Sequence, residues 1–353
     1  MRTAYAKNGW DTLKTVILGG FIPPHLLQQC LDYSKYEPIK PWLMKIAHET
    51  EEDLNNIQHI LEQHGVEVLR PFNDEYIWML EKSLWEIQAK NLPFSNLPIP
   101  ISPRNDLFVY KDIVIADQPT LTKKWLKAEI TNDIVFLKDA GIGHVHLPCI
   151  FRLNDTLLIG EEITDEEFEK LKAVFPADQK YIKTNIPGHV DARMATLREG
   201  LLVHSESEVP EEDLYKTFTG WTKLYCNSYG FNVMANRLPH RYGKEMLPDF
   251  GRTIRSLTHG RWDIDGYNGD NPEEVVEFID AEFTRWTGKA YETHFDVNML
   301  TINPDLSMTV GTDKDLIKRV EDQGHELLTV PFRHRWFFDQ GLHCITCDLI
   351  RQH

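Results

Sequence analysis

Short apolar runs alternate with polar turns along this chain, and the alternation repeats. Residues 106–110 meet 113–116 across Lys111-Asp112, and 149–153 meet 156–160 across Asn154-Asp155. In the same way 193–197 meet 201–204 across Arg198-Glu199-Gly200, and 297–302 meet 306–310 across Asn303-Pro304-Asp305. Apolar stretches broken by Asn, Asp, Gly or Pro predict β-hairpins. Amphipathic helices follow them. Thr164 to Glu167 reads as a capping box ahead of Phe168, Leu171 and Val174. Residues 313–320 repeat that design, and Gly324 ends the helix before a strand over 326–330. Near the start, 51–64 predicts a helix closed by Gly65, with a strand over 66–69.

The unit is therefore hairpin, helix, strand. Pairing the N-terminal strand over 15–18 with a C-terminal strand around Cys344 as one split unit gives about five copies. Units that cannot bury their faces alone pack around a common axis, as in a propeller of α/β blades. Such packing brings the hairpin starts together at one mouth, and Asp106, Cys149, Asp191 and Cys344 all stand near those starts. The expected organisation is a single catalytic domain over 1–353. An insertion over about 225–272, rich in Gly, Asn, Arg and aromatics, breaks the pattern. Lid, inserted helix and subunit contact are all open for it.

Composition narrows the class. With 42% hydrophobic residues and nine Trp in 353, a large core is available. The formal charge of −16 argues against nucleic acid or an anionic membrane as partner. No apolar run approaches the roughly 20 residues of a membrane span. The start leads into Trp10-Asp11 rather than an apolar signal core. Five cysteines, scattered and odd in number, are not a disulfide framework and suit a reducing cytoplasm.

The candidate chemistry lies in two motifs. Residues 341–348 set a His343-Cys344 pair in an apolar strand, and 188–191 supply His189-Val190-Asp191. Nucleophile, base and orienting carboxylate together make covalent catalysis possible. Cys344 as a buried thiol, or as half of a Cys-x-x-Cys pair with Cys347, is the alternative. Period two puts His189 and Asp191 on one face of an extended segment and turns Cys344 and Cys347 to opposite faces. His144 and His146 share a face, a weak metal-ligand pair. Arg333-His334-Arg335 reads as an exposed basic loop or an anion-binding rim.

These stretches carry a resemblance. Residues 10–19, 52–71, Pro103-Arg104-Asn105-Asp106, the His-x-Asp hairpin and the terminal His-Cys-x-Thr-Cys-Asp are similar to those of the amidinotransferases. That family is a branch of the guanidino-group-modifying superfamily that includes glycine amidinotransferase. The resemblance implies a five-bladed α/β propeller, no metal and no organic cofactor. It implies a ping-pong reaction in which Cys344 attacks the amidino carbon of a guanidino donor, arginine by default. His189 then protonates the leaving amine and deprotonates the acceptor amine, and Asp191 fixes the histidine or holds the guanidinium. Arg104, Asn105, Asp106, His146 and Arg193 are the candidate substrate contacts. A homodimer is the open expectation for assembly.

The sequence also departs from the family. Residues 144–149 contain no carboxylate where the family carries guanidinium-gripping acids, and Asn105 precedes Asp106 where the family has Pro-Arg-Asp. A planar cation in a dry pocket needs a carboxylate partner. Asp106, Asp191, Asp296 and Asp339 are the replacements to examine. Hydrolysis of the guanidino group and a catalytically silent binding propeller are the rival readings.

Overall fold

The computed structural model describes residues 1–352 apart from 32–39, 72–73, 94–95, 98, 118–122, 144, 206–208, 227–294, 312 and 339. The expected insertion over 225–272 therefore falls almost wholly outside the described residues.

Among the described residues, five three-stranded sheets carry the fold. The first joins β1 (Thr12–Leu18) and β2 (Glu67–Leu69) to the last strand, β15 (Thr346–Gln352). The second holds β3 (Leu107–Tyr110), β4 (Ile113–Ala116) and β5 (Ile134–Phe136). The third holds β6 (Ile150–Leu153), β7 (Thr156–Ile159) and β8 (Lys180–Lys183). The fourth holds β9 (Met194–Arg198), β10 (Leu201–Ser205) and β11 (Thr222–Cys226). The fifth holds β12 (Leu300–Asn303), β13 (Leu306–Thr309) and β14 (Glu326–Thr329).

All five follow one plan. Two strands pair antiparallel and the third returns parallel to the middle one, as in β6–β7 and β7–β8. A parallel return needs a crossover, and a helix supplies it. Asp165–Lys172 crosses in the third sheet and Lys314–Glu321 in the fifth. Their starts are the capped ones read from sequence. Glu167 N donates to Thr164 Oγ1 at 3.2 Å and Thr164 N to Glu167 Oε2 at 2.9 Å, while Leu316 N donates to Asp313 Oδ1 at 2.9 Å. Leu316 and Val320, four residues apart, then share one face and bury it with Val203, Val297 and Leu327. The ββαβ unit repeated five times is a five-bladed α/β propeller. Its first blade is built from both chain ends, with β1 antiparallel to β15 from Thr12 opposite Gln352 to Leu18 opposite Thr346.

The innermost strands are buried along their length and carry charge. Arg152 on β6 pairs with Asp348 on β15, and Arg351 Nε donates to Asp348 Oδ2 at 2.7 Å. Arg351 also donates to Asp11 O at 2.5 Å and to Thr301 O at 2.8 Å. Burial alone would raise the Asp348 carboxyl, but Arg351 and Arg152 outweigh it and hold the group well below the carboxylate range. Asp348 thus ties two blades, and Arg351 extends the link to a third through Thr301.

A second buried polar group makes the fifth blade sensitive to acid. His325 shares a hydrogen bond with Ser307 Oγ at 2.8 Å and donates from Nδ1 to Pro304 O at 3.0 Å. Burial lowers its pKa below the ordinary 6.5. The unfolded chain then binds this proton more readily than the native one, so the associated stability is present above about pH 6.5 and is lost below it. In urea titrations from pH 7.5 to 5.0 (assay conditions on the order of those where histidine titrates), the midpoint falls. His325→Asn makes that fall shallower; an unchanged slope would remove His325 from the account.

The inner strands begin later than the apolar pattern predicts, and for one reason. Each of three is preceded by a one-turn helix: Pro103–Asp106 before β3, Leu147–Cys149 before β6 and Val190–Ala192 before β9. Pro103 and Pro148 sit at early helical positions, where the missing N–H removes no bond. The fifth inner strand starts at Thr346, so His343 and Cys344 lie in the turn ahead of it and not in a strand. Asp191 likewise belongs to a helical turn, and the two-residue strand periodicity does not place it beside His189.

Candidate active site

Those turns cluster at one end of the inner strands, and they hold the candidate chemistry. At its centre is Cys344, 2% exposed. The side chain of Asn298, fully buried just ahead of β12, reaches it. Asn298 Nδ2 donates to Cys344 Sγ at 3.0 Å and to the Asp191 carbonyl at 2.9 Å, while Oδ1 accepts the Cys344 N–H at 3.0 Å. One amide therefore links the cysteine turn to the turn that carries His189 and Asp191.

The Asp191 side chain turns to a different histidine from the one expected. His343 Nδ1 lies 2.7 Å from Asp191 Oδ2, and against an ionised carboxylate that nitrogen carries the hydrogen and donates. Arg104 Nε stands 3.7 Å from the same oxygen. Burial by itself would raise the Asp191 pKa. The bond and charge of His343, with Arg104 and His189 beyond, outweigh it and lower the pKa instead. Asp191 Oδ1 is buried with no hydrogen-bond partner among the described residues, an acceptor that an N–H of a bound molecule would satisfy.

The remaining candidates are placed as follows. His189 is half-buried, with its ring 5.7 Å from that of the exposed His146. Cys149 lies beneath this pair and its thiol donates to Gly188 O at 3.3 Å. Gly188 adopts φ +63°, the left-handed region that lets the chain turn into His189. Arg193 folds back on its own turn, Nε donating to Pro187 O at 3.4 Å. Arg104 is 3% exposed, donates to Ile150 O at 2.8 Å and packs on the Phe108 ring. Both arginines are buried and bonded to backbone carbonyls of these turns, and Arg104 also lines a cavity. Asn105 keeps a buried Oδ1 without a partner. Asp106 closes its one-turn helix, its carbonyl accepting Asp117 N at 3.0 Å.

Of the carboxylates considered as replacements for the family acids, Asp191 is bonded into the cysteine cluster. Asp296 accepts Asp313 N at 3.0 Å and so serves the start of a helix. Asp339, like His144, lies outside the described residues. A cavity is lined by Arg104, Arg152, Asp191, Thr196, Thr301 and His343 among others. Two members of the basic triplet are tied to acidic side chains. Arg333 is bonded to Asp53 and Glu52, and His334 to Glu49 at 2.8 Å.

Cys347 is distinguished from Cys344 by its surroundings. It packs with Ile17, Leu107 and Leu349, and burial pushes its thiol pKa up to about 12. A thiol of that kind is inert at neutral pH. Cys347→Ala leaves most of the activity in place under steady-state assay; a loss as deep as that of Cys344→Ala would reverse the assignment of the two sulfurs.

Two members of the cluster, Asn298 and His343, are not among the sequence candidates. His343 was visible beside Cys344 but carried no role. Asn298 sat inside an apolar run and read as a strand residue.

Comparison with known proteins follows from this geometry. No family model matches the chain. Inosamine-phosphate amidinotransferase 1 of Streptomyces griseus is 24% identical over 365 residues, covering 98% of this chain and 96% of that protein. The solved structure of inosamine-phosphate amidinotransferase from Streptomyces griseus aligns over 100% of this chain and 98% of that one, with TM-score 0.61 and 19% identity. A dimethylarginine dimethylaminohydrolase aligns over 95% of this chain and 99% of its own, with TM-score 0.51 and 10% identity. The structural likenesses show a shared fold, the five-bladed α/β propeller. In sequence, the chain is similar over nearly its whole length to an amidinotransferase.

Proposed function

We propose that this protein moves an amidino group from a guanidino donor, arginine in the first instance, to an amine acceptor through a covalent intermediate on Cys344. The observation that carries this reading is the Asn298 amide, which joins Cys344 Sγ to the turn bearing His189 and Asp191. The Cys344 thiolate attacks the amidino carbon and forms the C–S bond. His189 gives a proton to the departing nitrogen, and the C–N bond to that amine breaks. An acceptor amine then attacks the same carbon, His189 takes its proton, and the C–S bond breaks to restore the thiolate. Positioned proton transfer of this kind contributes about 10²–10⁴-fold. Asp191 Oδ1 and Asn105 Oδ1 are buried acceptors without partners, and the N–H groups of a guanidino donor suit both. Residues 1–353 act as one catalytic domain in this reading.

Likeness to an aminohydrolase keeps water in view as the alternative acceptor. Chromatography of arginine incubations separates the outcomes. Ornithine released beyond one equivalent per enzyme only when an amine such as glycine or hydroxylamine is supplied supports transfer. Turnover independent of added amine shows hydrolysis: ornithine with urea if water takes the amidino group from sulfur, citrulline with ammonia if ammonia is the leaving group. Arginine left untouched under all conditions refutes both.

A further inference from the structure

Asn298 does more than tie two turns together. Its three polar contacts use every hydrogen-bonding direction that matters: both Nδ2 hydrogens go to acceptors, Cys344 Sγ and Asp191 O, and Oδ1 faces the Cys344 N–H. Rotating the amide by a half turn would set an oxygen against two acceptors and a donor against a donor. Its orientation is therefore fixed. The side chain is fully buried, so water does not compete for the sulfur from this side.

The backbone encloses it as well. The Asn298 carbonyl accepts His343 N at 3.3 Å. Gly341 lies so close that a Cβ there would come within 2.4 Å of Asn298 Oδ1 and 2.5 Å of Asn298 Cβ. A residue with any side chain at 341 would push the amide off the sulfur.

A neutral thiol sulfur is a weak acceptor, whereas a thiolate accepts strongly. A donor held against sulfur therefore favours ionisation. We infer that Asn298 is a catalytic residue that stabilises the Cys344 thiolate and holds it in register with the turn of His189. The inference rests on Cys344 being the nucleophile proposed above. The charged and titratable groups around the cluster are Arg104, His189, Asp191 and His343, on the turns before β3, β9 and β15; an uncharged substitution of Asn298 leaves all four in place.

The test reads sulfur ionisation directly and needs no substrate. The rate of Cys344 alkylation by iodoacetamide is followed against pH in the full chain, with the modified cysteine located by peptide mass mapping. Asn298→Leu keeps the approximate shape and removes the donor. Gly341→Ala keeps Asn298 and displaces it, which serves if the first variant folds poorly. In the unmodified protein the midpoint lies below the ordinary thiol value of about 8.5. Both variants raise it, by about one to two pH units for the loss of one hydrogen bond to a charged group. A lowered midpoint that neither variant moves overturns the role of Asn298 and leaves the nucleophile standing. An ordinary midpoint in the unmodified protein overturns both.

Discussion

Alanine at Cys344 abolishes amidino transfer, lowering turnover by about 10³-fold or more, while the chain keeps its fold. The size of the effect follows from what the sulfur does in the proposed reaction. Both half-reactions pass through a bond to it, and no neighbouring group can take its place. Cys149 is fully buried with its thiol given to Gly188 O, and Cys347 has its pKa pushed up to about 12. The fold is insulated because Cys344 precedes β15 and lies outside its pairing with β1. Steady-state rates with arginine and an amine, beside a thermal melt, give both halves of the result. Activity within about tenfold of the unmodified enzyme would mean that the sulfur is a spectator.

Removing the Asp348 carboxylate has the largest expected effect on stability. Arg152 and Arg351 both rely on it, and both are buried, at 7% and 1% exposure. Asp348→Ala leaves two guanidinium groups facing one another without their shared counter-charge. Breaking a buried ion pair from one side costs about 3–5 kcal/mol. The loss extends beyond one blade, since Arg351 also holds Asp11 O and Thr301 O. The same carboxylate sets a pH dependence. Its native pKa is depressed, so its contribution is complete above the unfolded value near 3.8 and is lost progressively as pH falls below that toward the depressed native value. Chemical denaturation of Asp348→Ala at neutral pH measures the cost; a change under about 1 kcal/mol would show that water takes over the pairing.

The architecture was legible in the hydrophobic pattern because it is written at two strong periods. Hairpins showed as short apolar runs around Asn154-Asp155 or Gly200, and helices as capped amphipathic stretches at Thr164 and Asp313. The His343-Cys344 pair could be singled out too, since a His-Cys pair is unusual chemistry for an apolar run. The turns that build the site were not. Pro103–Asp106, Leu147–Cys149 and Val190–Ala192 are single helical turns, too short to register a helical period against adjoining strands. For that reason Asp191 read as the partner of His189, two residues away, when its carboxylate bonds to His343 across 152 residues of sequence. Asn298 was hidden by its apolar neighbours: its function arises from where the fifth sheet sets it against the cysteine turn. Arg152 and Arg351 carried no role in the sequence reading, because strand patterning does not reveal the buried Asp348 carboxylate that pairs with them.

The most direct measurement is the mass of the protein after mixing with arginine in the absence of any amine acceptor, quenched in acid and mapped to peptides. The predicted result is the gain of one amidino group, confined to the peptide containing Cys344, absent from Cys344→Ala and removed on adding an amine. No gain on that peptide, or a gain on Cys149 or Cys347 in its place, would contradict covalent transfer through Cys344.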